Sequence, residues 1–166
     1  LTTFTYDTNS PHLDLISISN ALNQVTQITQ TDPDGRALTM LLPNGASLTL
    51  TYDPRGRLLT STIDSRTTEY KYDAAGQLVK IINPTGDYLR YEHDAAHRLT
   101  DIFSGYVGSV DHDVDHIHYQ LDALGNRTNE TYSTGSTVTR TLAREYNALN
   151  QLTRLTEGAG PVTQYT

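Results

Sequence analysis

A short turn motif recurs along this chain at nearly constant spacing. Tyr6-Asp7, Thr31-Asp32, Tyr52-Asp53, Tyr72-Asp73, His93-Asp94, Leu121-Asp122 and Tyr146-Asn147 align, with their second residues 25, 21, 20, 21, 28 and 25 positions apart. Two copies read Tyr-Asp-x-x-Gly-x-Leu in full: Tyr52, Asp53, Gly56 and Leu58, then Tyr72, Asp73, Gly76 and Leu78. Asp94 to Leu99 is a copy with His97 in the glycine slot, and Tyr146, Asn147 and Leu152 form one with Asn150 there. Asp32 with Gly35, and Asp122 with Gly125, keep the turn without the tyrosine. A repeat of this length marks an array of identical supersecondary units.

The motif has a local physical reason. An Asp that opens a type I turn accepts hydrogen bonds from backbone N–H groups just ahead of it. Pro33, Pro54 and Pro84 pre-set φ for the second turn position. Gly at the fourth position takes the left-handed conformation that closes a hairpin, and Asn23 and Asn150 are the next most tolerant residues. Tyr and Leu then face each other across the turn as a cross-strand pair. Second turns fall between these, clearly at Leu42–Gly45 and Asn83–Gly86 and less clearly at Asn20–Asn23 and Asp64–Thr67. The segments between turns are roughly six to eight residues long, the length of ordinary strands. They alternate as half-buried strands do: Leu48, Leu50 and Tyr52 oppose Thr49 and Thr51, Tyr70 and Tyr72 oppose Lys71, and Leu89 and Tyr91 oppose Arg90 and Glu92. The expected fold is all-β, a meander of antiparallel hairpins with little or no helix.

Composition narrows the function. The chain has no cysteine, which excludes zinc-thiolate sites, disulfide frameworks and a catalytic thiol. A net charge of −7 argues against a nucleic-acid partner. No apolar run reaches the roughly 18 residues that a membrane-spanning helix needs. Leu1-Thr2-Thr3-Phe4 has neither a start Met nor a signal-peptide pattern and reads as a cut end.

The Tyr-Asp-x-x-Gly-x-Leu units, with Asn-Pro-x-Gly and Pro-Asn-Gly turns between them, resemble the tyrosine–aspartate repeats of bacterial Rhs (rearrangement hotspot) proteins. Ile117 to Thr128 and Glu145 to Leu152 resemble segments common in Rhs proteins of Gram-negative bacteria. The resemblance covers essentially all of residues 1–166. It implies a curved, spiralling single sheet that forms part of a hollow shell. That shell encloses a C-terminal toxin until a type VI or toxin-complex machine delivers it. The implied partners are neighbouring repeats of the same parent chain and the enclosed cargo, and the implied location is secreted, delivered or cell-surface. Teneurins carry a similar barrel in adhesion receptors. Asp32-Pro33-Asp34-Gly35 and Asp53-Pro54-Arg55-Gly56 resemble the family's cleavage signature, but they sit in the repeat register and read as turns.

The register stretches between Asp94 and Asp122, so residues 104–118 are expected to form an inserted loop or extended hairpin. That stretch carries Asp111, His112, Asp113, Asp115, His116 and His118. On a strand, His112, His116 and His118 would share one face and the three Asp the other. Two His at i and i+2 with a carboxylate such as Asp115 are weak candidates for a divalent metal, and His residues beside carboxylates are candidates for pH sensing. The reading taken is a solvated polar hairpin, with no metal and no cofactor. No Gly-x-Ser-x-Gly elbow or phosphate loop is present, so no enzyme is expected. The alternative function is a carbohydrate-binding or adhesion module using exposed tyrosines off the repeat register, namely Tyr88, Tyr106 and Tyr132. A sheet with open edges is also expected to self-associate when isolated.

Overall fold

The computed structural model describes residues 1–10, 13–108, 111–158, 160 and 162–165. The chain divides into two compact units, Leu1–Tyr70 and Lys71–Thr166. All regular structure among the described residues is strand. The first unit holds β1 (Thr3–Tyr6), β2 (Leu15–Ser19), β3 (Val25–Thr31), β4 (Ala37–Leu41), β5 (Ser47–Tyr52), β6 (Leu58–Ile63) and most of β7 (Arg66–Tyr72). The second holds β8 (Leu78–Ile82), β9 (Asp87–His93), β10 (Leu99–Tyr106), β11 (His112–Leu121), β12 (Arg127–Thr134), β13 (Thr137–Tyr146), β14 (Leu152–Glu157) and β15 (Val162–Gln164). Within each unit strand order equals chain order and every pairing is antiparallel.

The turns lie where the repeat places them. The fourth residue donates its N–H to the carbonyl of the first in Asp32–Gly35, Asp53–Gly56, Asp73–Gly76, Asp94–His97, Asp122–Gly125 and Asn147–Asn150, at 2.9–3.1 Å. That residue is left-handed even where it is not glycine, with φ of 63° at His97 and 64° at Asn150. The weak turn at Asp64 is tighter than expected. It is a two-residue loop, with φ of 46° at Asp64 and 70° at Ser65, between the paired Ile63 and Arg66. Two consecutive positive φ values match the twist of a hairpin.

The hairpins at Asp7, Asp32, Asp53, Asp94, Asp122 and Asn147 also carry a bulge just past the turn. Tyr52 pairs with Leu58 and Thr51 with Thr60, which leaves Leu59 as the extra residue. Tyr146 pairs with Leu152, and Tyr6 with Leu15, beside the same kind of shift. In three hairpins the extra residue is a threonine whose hydroxyl donates to a carbonyl of the partner strand: Thr100 to Glu92 at 3.3 Å, Thr128 to Gln120 at 3.1 Å and Thr153 to Glu145 at 3.1 Å. Elsewhere threonines pair side by side across strands, Thr29 with Thr39 at 2.7 Å, Thr51 with Thr60 at 2.6 Å and Thr62 with Thr67 at 2.8 Å. Such pairs contribute about 0.2–1 kcal/mol each. They give part of the chain's many threonines a role in holding strand register.

Burial follows from this architecture. Strand packing runs between consecutive strands, so a side chain is covered mainly by its lateral neighbours. Among the described residues the buried ones are Ala46 in the first unit and Tyr88, Tyr119, Glu130 and Leu142 in the second. Three of the last four form one cross-strand row, Tyr119 beside Glu130 beside Leu142. One expectation fails here: Leu89 is 40% exposed while its neighbour Tyr88 is 2% exposed, so the covered side of β9 is the one bearing Tyr88 and Arg90. The cause is Gly105 on β10, which leaves room for the Tyr88 ring to lie across it.

The turn carboxylates also set an acid limit. The Arg57 N–H holds the Asp53 carboxyl below the usual carboxylate range, against partial desolvation, and the Arg57 guanidinium adds to the effect. Arg98 does the same for Asp94 through its N–H and then its side chain, and the Asn126 side chain leads for Asp122. A carboxyl whose folded pKa is depressed stabilises the fold above its unfolded value of about 3.9 and loses that contribution as pH falls through the lower folded value. The β signal in circular dichroism is therefore expected to hold at pH 5 and fall below about pH 3.9. Asp53→Asn and Asp94→Asn together should flatten that acid limb.

Candidate functional site

Two features bring polar side chains together, one repeated in both units and one confined to the second. The first is a ladder along the Tyr-Asp turns. Each opening residue seals its own turn. Asp53 Oδ1 accepts from the N–H of Arg55 and Arg57 at 2.9 and 3.0 Å, Asp94 Oδ1 from Ala96 and Arg98 at 2.9 and 3.0 Å, and Asp122 Oδ1 from Leu124 and Asn126 at 2.9 and 2.8 Å. The residue four positions on then returns a donor to the second oxygen: Arg36 Nε to Asp32 at 2.6 Å, Arg57 Nε to Asp53 at 2.7 Å, Arg98 Nε to Asp94 at 2.7 Å and Asn126 Nδ2 to Asp122 at 2.8 Å. Where the turn opens with Asn, the partner changes to Gln. Asn20 Nδ2 donates to Gln24 at 2.7 Å and Asn147 Nδ2 to Gln151 at 3.0 Å. These partners also reach the next repeat: Gln77 Nε2 donates to the His97 carbonyl at 3.0 Å, Arg98 Nη1 to the Asp122 carbonyl at 2.8 Å, and Asn126 bonds Asn150. The Asp-x-x-Gly-Arg and Asn-x-x-Asn-Gln patterns were present in the sequence as its signal.

The second feature is the face of β8 to β11. Residues 104–118 form the end of β10 and most of β11, together with the link between them; Ser109 and Val110 of that link lie outside the described residues. Arg90, Phe103 and His116 are register neighbours across three strands. The Arg90 guanidinium sits 3.8 Å over the Phe103 ring, and Phe103 stacks on His116 with centroids 4.2 Å apart and planes 2° apart. In the next row Tyr88 donates to Asp113 Oδ1 at 2.6 Å, and Arg90 Nη2 to Asp113 Oδ2 at 2.6 Å. Lys80 lies 3.9 Å over the Tyr88 ring and pairs with Asp111. Burial, then the Asp113 carboxylate, pushes the Tyr88 hydroxyl up to about 12. Burial alone would raise Asp113, but Arg90 and Tyr88 outweigh it and hold it low. In the third row His116 Nε2 and His118 Nδ1 both meet Asp101 Oδ1, each at 2.7 Å. Burial opposes ionisation of Asp101, but hydrogen bonds from His118, His116 and Thr100 prevail and keep its carboxyl below the ordinary range.

This placement corrects the expected faces. His116 and His118 share a face with Asp113 and with Asp101, which sequence reasoning missed. His112 and Asp115 lie on the opposite face. Asp115 accepts from Ser104 at 3.1 Å and Thr134 at 2.8 Å, and His112 packs against Tyr106 at 5.1 Å. The reason is a bulge: Gly105 pairs with Asp113 but Ser104 with Asp115, so Val114 is an extra residue and the alternation inverts across it. The tyrosines proposed for carbohydrate differ from one another in exposure. Tyr88 is buried, Tyr132 donates to Glu130 at 3.0 Å, and Tyr106 is 49% exposed.

Comparison with known proteins agrees with the fold. No curated protein matches the chain. Among solved structures, the crystal structures of TcdB2-TccC3-TEV and TcdB2-TccC3-Cdc42 are similar over 95% of this chain, each at 18% identity and a TM-score of 0.72. A mutant form of the Photorhabdus luminescens Tc holotoxin pore is similar over 94% of it, at 19% identity and a TM-score of 0.72. The chain spans only 9% of each of those chains, and the likeness is one of fold. Among the described residues no helix is long and apolar enough to cross a membrane. Residues 20–69 and 72–102 match the family model described as RHS Repeat. The matched segments, residues 20–69 and 72–102, are therefore RHS repeats, and the turns at Asp122 and Asn147 continue the same motif beyond them.

Proposed function

We propose that this chain is a wall segment of an Rhs-type β-shell, which encloses a C-terminal toxin until a bacterial secretion-system or toxin-complex machine delivers it. The observation that carries this reading is the run of antiparallel hairpins in chain order within each unit, with Tyr-Asp turns sealed by their opening residues and, in the second unit, tied one to the next. The work is mechanical and non-enzymatic: backbone ladders and turn-to-turn bonds keep the wall closed to proteases, while cargo contact is spread over a face. Its partners are the neighbouring repeats and the cargo. The carbohydrate reading retains one open ring, Tyr106, and is the weaker of the two.

Limited proteolysis of the full-length parent protein tests the proposal. The cargo is expected to resist protease in the wild type and to be cut once Gly105→Val opens the wall. A cargo cut as fast in the intact parent as when expressed alone would sink it.

A further inference from the structure

We propose that Asp101, His116 and His118 form a binding site for a divalent transition metal of the zinc type, on the face shared by β10 and β11. Three donors of the right chemistry converge: His116 Nε2, His118 Nδ1 and a carboxylate oxygen of Asp101, all within 4.8 Å of one another. Two imidazoles and a carboxylate make a common three-ligand set for zinc, with the fourth position left to water or another donor. Here that position faces solvent, since the side chains of His116 and His118 are 32% and 43% exposed. Both imidazoles already point at one oxygen, so an ion takes the place of the shared protons. Metal–ligand bonds of about 2.0–2.2 Å need ligand atoms roughly 3.3 Å apart, so the two 2.7 Å contacts open by roughly 0.6 Å.

The site is held in position before any ion arrives. Phe103 fixes the His116 ring by stacking, Arg90 covers Phe103, and Asp113 anchors Arg90. Asp101 stands 15 and 17 positions from the two histidines and belongs to the other strand, so an ion here ties β10 to β11. The inference is independent of the shell reading.

Cobalt(II) and zinc(II) titrations of the folded chain test it. One Co2+ per chain is expected to bind with visible absorption bands of a low-coordinate site, and Zn2+ should displace it. Affinity should fall about tenfold or more in His118→Ala, in His118→Gln and in Asp101→Asn, with the circular dichroism unchanged. His112→Ala, on the opposite face, should bind as the wild type does. The proposal is overturned by an absence of visible bands and of zinc heat at micromolar protein. It is equally overturned if the folded His118 and Asp101 variants keep wild-type affinity, or if His112→Ala loses it.

Discussion

Gly105→Ala should unfold the β10–β11 hairpin more effectively than any other single methyl group added to the second unit. A Cβ at Gly105 would stand 2.0 Å from the His112 carbonyl oxygen and 2.7 Å from the Tyr88 ring. The carbonyl belongs to the backbone of the neighbouring strand, so no rotamer change relieves it. Overpacking costs about 1–3 kcal/mol where neighbours give way and more where they cannot, so a loss of about 3 kcal/mol is expected. For a unit of this size that lowers Tm by more than about 10 °C. A Tm within about 2 °C of wild type would contradict the packing described. Tyr88→Ala provides the internal check. It removes the ring contact but not the carbonyl, so Gly105→Ala should remain strongly destabilising in that background.

Glu130→Ala should have the next largest effect. Glu130 is 4% exposed and sits between Tyr119 and Leu142 in a cross-strand row. Its carboxylate meets Arg144 Nη1 at 3.1 Å, Arg127 Nη1 at 3.4 Å and the Tyr132 hydroxyl at 3.0 Å. Burial pushes this carboxyl up, but Arg144, Tyr132 and Arg127 together hold it below its usual range. Arg127 also lies 4.0 Å over the Tyr119 ring, so the guanidinium cannot turn away without losing a second contact. Removing one partner from a deeply buried pair costs about 3–5 kcal/mol. Arg127 is 47% exposed, so water takes over part of its solvation and about 2–3 kcal/mol is expected here. Urea unfolding measures it. Glu130→Gln should keep the Tyr132 bond and lose less than alanine, and equal losses in the two variants would assign the effect to packing instead of charge.

These two residues show where sequence reasoning stops. The turns were legible because their chemistry is local: the partners of Asp53 and Asp94 lie within four positions of each. The arginine or glutamine that closes the turn was equally local, as in Arg57, Arg98 and Gln151, and a count at the fourth position past each Asp or Asn finds it. Nothing around Gly105 announced that a tyrosine 17 positions earlier would cover it. Nothing around His116 and His118 pointed to Asp101, which precedes the lengthened hairpin and lies in no turn motif.

The bulge at Val114 is the clearest case. Strand alternation has a period of two, so one extra residue reverses every face assignment beyond it. The expected grouping of His112 with His116 and His118 was sound for a regular strand and failed on a single unpaired residue. Its position depends on how β10 and β11 register against each other, which no pattern within either strand encodes.

The amino-acid sequence by itself therefore determined the all-β class and the positions of the Asp- and Asn-opened turns from Asn20 to Asn150, because such a turn is decided by hydrogen bonds among four or five successive residues; the turn at Gly135-Ser136 carried no such signal. The tertiary structure alone decided which side chains meet across strands: Tyr88 over Gly105, Glu130 between two arginines, and two histidines on Asp101. Those meetings are set by bulge position and register, and both belong to pairs of strands.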